Sequence, residues 1–140
     1  PIAASPDGYI YFQENGVDDG STNPPSPISS YIESSAIDMG DGDQFMFMSK
    51  VLPDLTFRNS TSTPSATFEV SARDFPGASF DQTNSGSAVR SATAPVEQFT
   101  EQLFFRLRGR SMALKVSSNT LGTQWRLGTP RADMRTDGRR

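Results

Sequence analysis

The sequence contains neither histidine nor cysteine. The first absence removes Ser-His-Asp and Cys-His nucleophilic machinery and metal sites built on imidazole. The second removes zinc sites built on thiolates and every disulfide. A chain without disulfides suits the cytosol or a particle assembled there, and it excludes no other compartment. No run approaches 18 apolar residues and the amino end is not basic-then-apolar, so no membrane span or signal peptide is visible. Hydrophobic residues make up only 34% of the chain. Basic residues are scarce in one part of it. Residues 1–103 hold four (Lys50, Arg58, Arg73 and Arg90) against fourteen acidic residues, a net charge of −10.

The remaining 37 residues invert that balance. Residues 104–140 carry nine basic side chains against Asp133 and Asp137, a net of +7. An acidic body with a basic tail suits either nucleic-acid contact or contact between one subunit's basic end and a neighbour's acidic face. Glycine, proline, serine and threonine are abundant, which favours short strands joined by turns, and ten phenylalanines supply most of the bulky apolar mass. A length of 140 residues is most simply one β-rich domain. The chain starts at Pro1 with no initiator methionine, and it reads as a piece of a longer protein.

Alternation of apolar and polar residues marks the strands. Residues 7–16, DGYIYFQENG, give a short aromatic strand between turn signals. Residues 18–30 hold three prolines and read as a loop. Residues 44–54, QFMFMSKVLPD, are apolar on both faces, with Phe45, Phe47 and Val51 on one and Met46, Met48 and Leu52 on the other. Such a strand is expected to be buried on both sides or covered by a neighbouring subunit. In residues 67–74, Phe68, Val70 and Ala72 point inward, and residues 75–95 read as a second long loop. Residues 99–108 set Leu103, Phe105 and Leu107 against Phe104, Arg106 and Arg108. Residues 110–117 set Met112, Leu114 and Val116 inward and Ser111, Ala113 and Lys115 outward, and a hairpin near Gly109 would pair these two strands. Residues 123–127 and 131–135 alternate again, with Trp125 beside Leu127 on a core-facing side. The count is seven or eight short strands and no helix: an all-β, antiparallel sandwich-like domain with long polar loops.

Three constellations carry chemistry. Residues 38–43, DMGDGD, place three carboxylates around two glycines, which an ordinary acidic turn or a hard-cation loop would use. The spacing misses the helix-loop-helix calcium pattern and no glutamate closes the loop, so an acidic turn is the expectation. Asp18 with Asp19, or Glu33 with Asp38, offer carboxylate pairs of the kind used in glycoside hydrolysis, but nothing in the sequence sets their separation. No catalytic, cofactor-binding or metal-binding residue is assigned, and the chain is not expected to be an enzyme. The third constellation is Arg106, Arg108, Arg110, Lys115, Arg126, Arg131, Arg135, Arg139 and Arg140. On strands, arginines at period two line one sheet face, to meet solvent, phosphate or an acidic neighbour.

The run FRLRGRSMALKVSSNTLGTQWRLGTPRADMRTDGRR, residues 105–140, resembles the closing segment of tail proteins of short-tailed bacteriophages, of the tail nozzle or tail tube (packaged-DNA stabilisation, tail tubular) type. The matching features are the RGR triplet before an alternating strand, the WRLG turn and the terminal DGRR. Upstream, IDMGDGDQFMFMSKVLPD resembles the element of Gly-Asp turn, apolar strand and Pro-Asp that precedes it. The resemblance covers about residues 28–57 and 99–140. It implies the carboxyl-terminal part of a β-rich structural virion subunit, assembled in the bacterial host cytoplasm into a homo-oligomeric ring, typically a hexamer. The ring would surround the DNA exit channel, join the portal through an adaptor and other tail proteins, and see phage DNA pass transiently. A lumen that passes DNA is better served by acidic or neutral walls than by adhesive basic ones. The arginines (Arg106, Arg108, Arg110, Arg126, Arg131, Arg135, Arg139 and Arg140) are therefore read as subunit contacts rather than DNA contacts. A receptor- or glycan-binding tail module is the alternative.

Overall fold

The computed structural model describes residues 1–78, 80 and 90–139. Fourteen strands and no helix occur among the described residues. In chain order they are β1 (Ile2–Ala4), β2 (Ile10–Phe12), β3 (Asp18–Asp19), β4 (Ser26–Pro27), β5 (Ser30–Glu33), β6 (Ile37–Asp38) and β7 (Met46–Leu52). There follow β8 (Leu55–Thr56), β9 (Ser65–Arg73), β10 (Ser91–Glu97), β11 (Leu103–Gly109), β12 (Ser111–Ser118), β13 (Arg126–Leu127) and β14 (Arg131–Thr136). The all-β class read from alternation is the class observed, with more and shorter strands than seven or eight.

Two antiparallel sheets make the sandwich. One runs β10-β9-β12-β5, with β6 joining β12 beside β5; the other runs β11-β7-β14. The core lies between them. Ala66, Phe68, Val70 and Ala72 of β9, with Met112 and Val116 of β12, face Met46, Met48 and Val51 of β7 and Leu103, Phe105 and Leu107 of β11. The rings of Phe68 and Phe105 meet across the interface at 6.3 Å between centroids, a separation at which aromatic pairs attract.

The hairpin expected at Gly109 does not form. β11 pairs with β7, and β12 pairs with β9, so the chain crosses from one sheet to the other at Gly109–Arg110. Both strands bury an apolar face, and crossing between layers lets both faces enter one core. The corner is tight: a Cβ on Gly109 would stand 2.9 Å from the Cβ of Ala72 and 3.0 Å from the carbonyl oxygen of Arg73. The amide of Arg110 donates to that same carbonyl at 2.8 Å.

Strand β7 departs from simple alternation. Its register with β14 shifts between Asp133 and Met134, and its register with β11 shifts between Phe104 and Leu107, both opposite Ser49. An irregularity there moves every later side chain to the other face. Val51 therefore joins Met46 and Met48 in the core at 0% exposure, while Leu52 stands out at 39%. Ser111 and Ala113, expected outside, are buried instead. They are small side chains on a strand with partners at both edges, and the Ser111 hydroxyl donates to the Asp38 carboxylate.

The two expected loops are also partly strand. Within residues 18–30, β3 and β4 pair, and Ser30 opens β5. The hydroxyl and the backbone amide of Ser21 hold the Asp19 carboxyl below the ordinary aspartate range. Residues 91–95 of the second loop belong to β10 (Ser91–Glu97), paired with β9 along its whole length. Its Pro95 is tolerated because β10 is an edge strand and its proline needs no ladder donor. Residues 79 and 81–89 of that predicted loop lie outside the described residues.

Candidate interaction surface

The sheet β11-β7-β14 buries one face, and no described element covers the other, so β7 is not buried on both sides within its own described chain: Phe47, Ser49 and Lys50 are half-buried and Leu52 is exposed. Alternation puts Phe104, Arg106 and Arg108 of β11 on the outer face, with Phe47, Lys50 and Leu52 of β7 and Arg131, Asp133 and Arg135 of β14. Register aligns them in rows. Arg108 and Arg135 flank Phe47, and Phe104 and Asp133 flank Lys50. The Arg135 guanidinium lies 5.1 Å from the Phe47 ring centroid. Ser49 donates to the Asp133 carboxylate at 3.0 Å. With Arg108 paired to Asp137, four further cations (Lys50, Arg106, Arg131 and Arg135) against Asp133 make this face basic, and Phe104, 72% exposed, gives it an uncovered aromatic.

The arginines predicted as one group divide into three sets. Arg106, Arg131 and Arg135 are exposed on the outer face. Arg108, Arg110 and Arg139 are turned toward their own chain. Nε of Arg108 donates to the Asp137 carboxylate at 2.5 Å and a terminal nitrogen donates to the Asp137 carbonyl at 3.0 Å. Arg110 donates to the Asp43 carbonyl, and to the Arg139 carbonyl at 3.0 Å. Both guanidiniums lie over the Phe45 ring, at 4.0 and 4.6 Å from its centroid. Arg139 lies 3.6 Å from the Asp43 carboxylate. These contacts clasp the carboxyl end onto the start of β7, where the Phe45 amide donates to the Gly138 carbonyl and the Asp137 amide to the Phe45 carbonyl, both at 2.7 Å. Each partly exposed ion pair contributes about 1 kcal/mol or less, and each cation–aromatic contact about 0.5–1 kcal/mol. Lys115 sits apart, with its ammonium 5.2 Å from the Tyr31 ring. Arg140 lies outside the described residues.

Arg126 forms the third set. It lines a cavity of about 550 Å³ together with Trp125, Arg58, Asn59 and Gln124. Trp125 is half-buried and packs against the core, as its alternation with Leu127 predicts, and its indole donates to the Ser30 hydroxyl at 2.9 Å. The cavity floor joins the two stretches VLPD and WRLG. The Asp54 carbonyl accepts from the Gly128 amide at 2.8 Å, and its carboxylate accepts from the Thr129 amide at 2.6 Å. A Cβ on Gly128 would stand 2.3 Å from that carboxylate, so any larger residue there displaces the Asp54 side chain.

Members of the carboxylate constellations accept hydrogen bonds from elsewhere in the chain. Asp38 accepts from Ser111, and Asp18 accepts from the Gly122 amide at 2.7 Å. Among the described residues, no three acidic side chains gather as a cation site. Sequence reasoning set Phe104 on one face with Arg106 and Arg108 but missed Phe47 and Lys50 as partners of the arginines, because strand pairing across fifty or more residues decides their adjacency. It also gave no role to the amino-terminal hairpin. Its signal was present in GYIYF, where apolar residues fall at both strand parities.

No protein-family model matches the chain, and none of the curated proteins is significantly similar to it.

Proposed function

We propose that this chain is a structural subunit of a short-tailed bacteriophage tail, of the nozzle or tube type. It assembles with copies of itself into a ring around the DNA exit channel, and it retains and guides DNA during ejection. The observation that carries this reading is the closing run of residues 105–140, with its RGR triplet, WRLG turn and terminal DGRR. Two features of the fold support it. The Pro-Asp and WRLG stretches, far apart in sequence, meet through Asp54, Gly128 and Thr129. A basic, partly aromatic sheet face stands without a covering element among the described residues, as a subunit contact requires. The role is assembly rather than catalysis, its site is the virion, and its partners are identical subunits, the portal adaptor and other tail proteins.

The test is electron microscopy and sedimentation of the purified chain. Closed rings with a channel wide enough for duplex DNA are expected. A chain that stays monomeric at every concentration overturns the reading. The alternative, a receptor- or glycan-binding tail module, draws on the cavity beside Trp125, where an indole, two guanidiniums and two amides converge. A glycan array showing binding that Trp125→Ala and Arg58→Ala abolish would favour it.

A further inference from the structure

The amino-terminal hairpin belongs to neither sheet of the sandwich. Among the described residues β1 and β2 pair only with each other, and the adjoining backbone hydrogen bonds close on the hairpin itself: Ser5 to Tyr9, Gly8 to Ser5, Gln13 to Pro1. Ile2 lies opposite Phe12 and Ala4 opposite Ile10, so these four side chains share one face. That face is entirely apolar, and Ile10 and Phe12 are 72% and 74% exposed. Tyr9 and Tyr11 associate on the other face, with ring centroids 6.4 Å apart. An exposed apolar face of this kind marks a contact surface.

Charge selects what covers it. Asp7 lies in the hairpin turn, Glu14, Asp18 and Asp19 follow β2, and no basic residue precedes Lys50. Two hairpins packed face to face would bring these carboxylates together, which disfavours a symmetric contact. The outer face of β11-β7-β14 has the complementary character. It offers an exposed Phe104 amid Lys50, Arg106, Arg131 and Arg135. We infer that the hairpin of one copy docks on this sheet face of the next copy, its apolar side chains against Phe104 and Leu52 and its carboxylates toward the cations. The contact joins two different surfaces, so it propagates head to tail and closes into a ring when the rotation permits. The inference rests on the ring reading above and names the surfaces that would build it.

A mixing experiment tests it. One variant, Ile10→Asp with Phe12→Asp, loses the hairpin and keeps the sheet face; the other, Arg131→Glu with Arg135→Glu, loses the face and keeps the hairpin. All four positions are exposed, and circular dichroism checks that both variants fold. Each variant alone is expected to sediment as a monomer while the native chain assembles. An equimolar mixture is expected to give a dimer and nothing larger, since one competent contact remains between the two variants. A mixture that stays monomeric, or a single variant that assembles like the native chain, overturns the docking while leaving the ring reading in place. A native chain that never assembles overturns both.

Discussion

The two ends of this chain are both β-structure and are held in opposite ways. The amino end is rich in isoleucine and aromatic side chains, yet its hairpin is exposed on both faces. The carboxyl end is rich in charge, yet β14 runs the length of β7, buries much of Ala132 and Met134, and is clasped beyond its last paired residue by Arg108 and Arg110. Apolar content did not decide which end is integrated. β7 offers residues 131–136 a strand edge and an alternating face together, while among the described residues the hairpin strands pair only with each other.

Truncation should show the contrast at its largest. Removing residues 131–140 deletes a six-residue ladder, opens an edge of β7 and takes Ala132 and Met134 off the core. Several backbone hydrogen bonds at about 1 kcal/mol each, and a half-buried methionine at about 1–2 kcal/mol, together approach the whole stability of a small domain. Chemical denaturation should find the truncated chain unfolded or nearly so. Removing residues 1–13 should change the unfolding midpoint little, and a large loss there would show that the hairpin belongs to the cooperative unit.

A smaller effect is expected at the corner that sets Arg108 and Arg110 on either side of a turn. Gly109→Ala places a methyl group against Ala72 and the Arg73 carbonyl, neither of which is a flexible chain end, and overpacking of this kind costs about 1–3 kcal/mol. Denaturation measures the loss, and hydrogen exchange should show the Phe45 amide opening along with it. A variant as stable as the parent would show that the corner yields.

The smallest effect belongs to the clasp itself. Arg108→Ala removes the contacts to Asp137 and Phe45, and its cost should be about 1–2 kcal/mol, with the ion-pair share fading in high salt. Raised exchange confined to the Phe45 and Asp137 amides would show the end loosening while the sandwich stays intact. An unchanged exchange pattern would mean that the backbone ladder alone holds the end.

Local pattern determined much of this molecule by itself. Alternation in residues 67–74 and 99–108 marks β9 and β11 and their inward faces, because a pleated strand has period two wherever it lies. The absence of histidine and cysteine and the charge division are likewise complete in the sequence. Tertiary structure decided what depends on partners far along the chain. The irregularity opposite Ser49 carried Val51 inward, and Gly109 became a crossing between sheets because each flanking strand had a better edge elsewhere. β10, poor in bulky residues, became a strand because β9 supplied its hydrogen bonds. The tail arginines, one series in sequence, were divided among a clasp, a cavity and an open basic face, since strand register sets which side chains meet and only the folded chain sets the register.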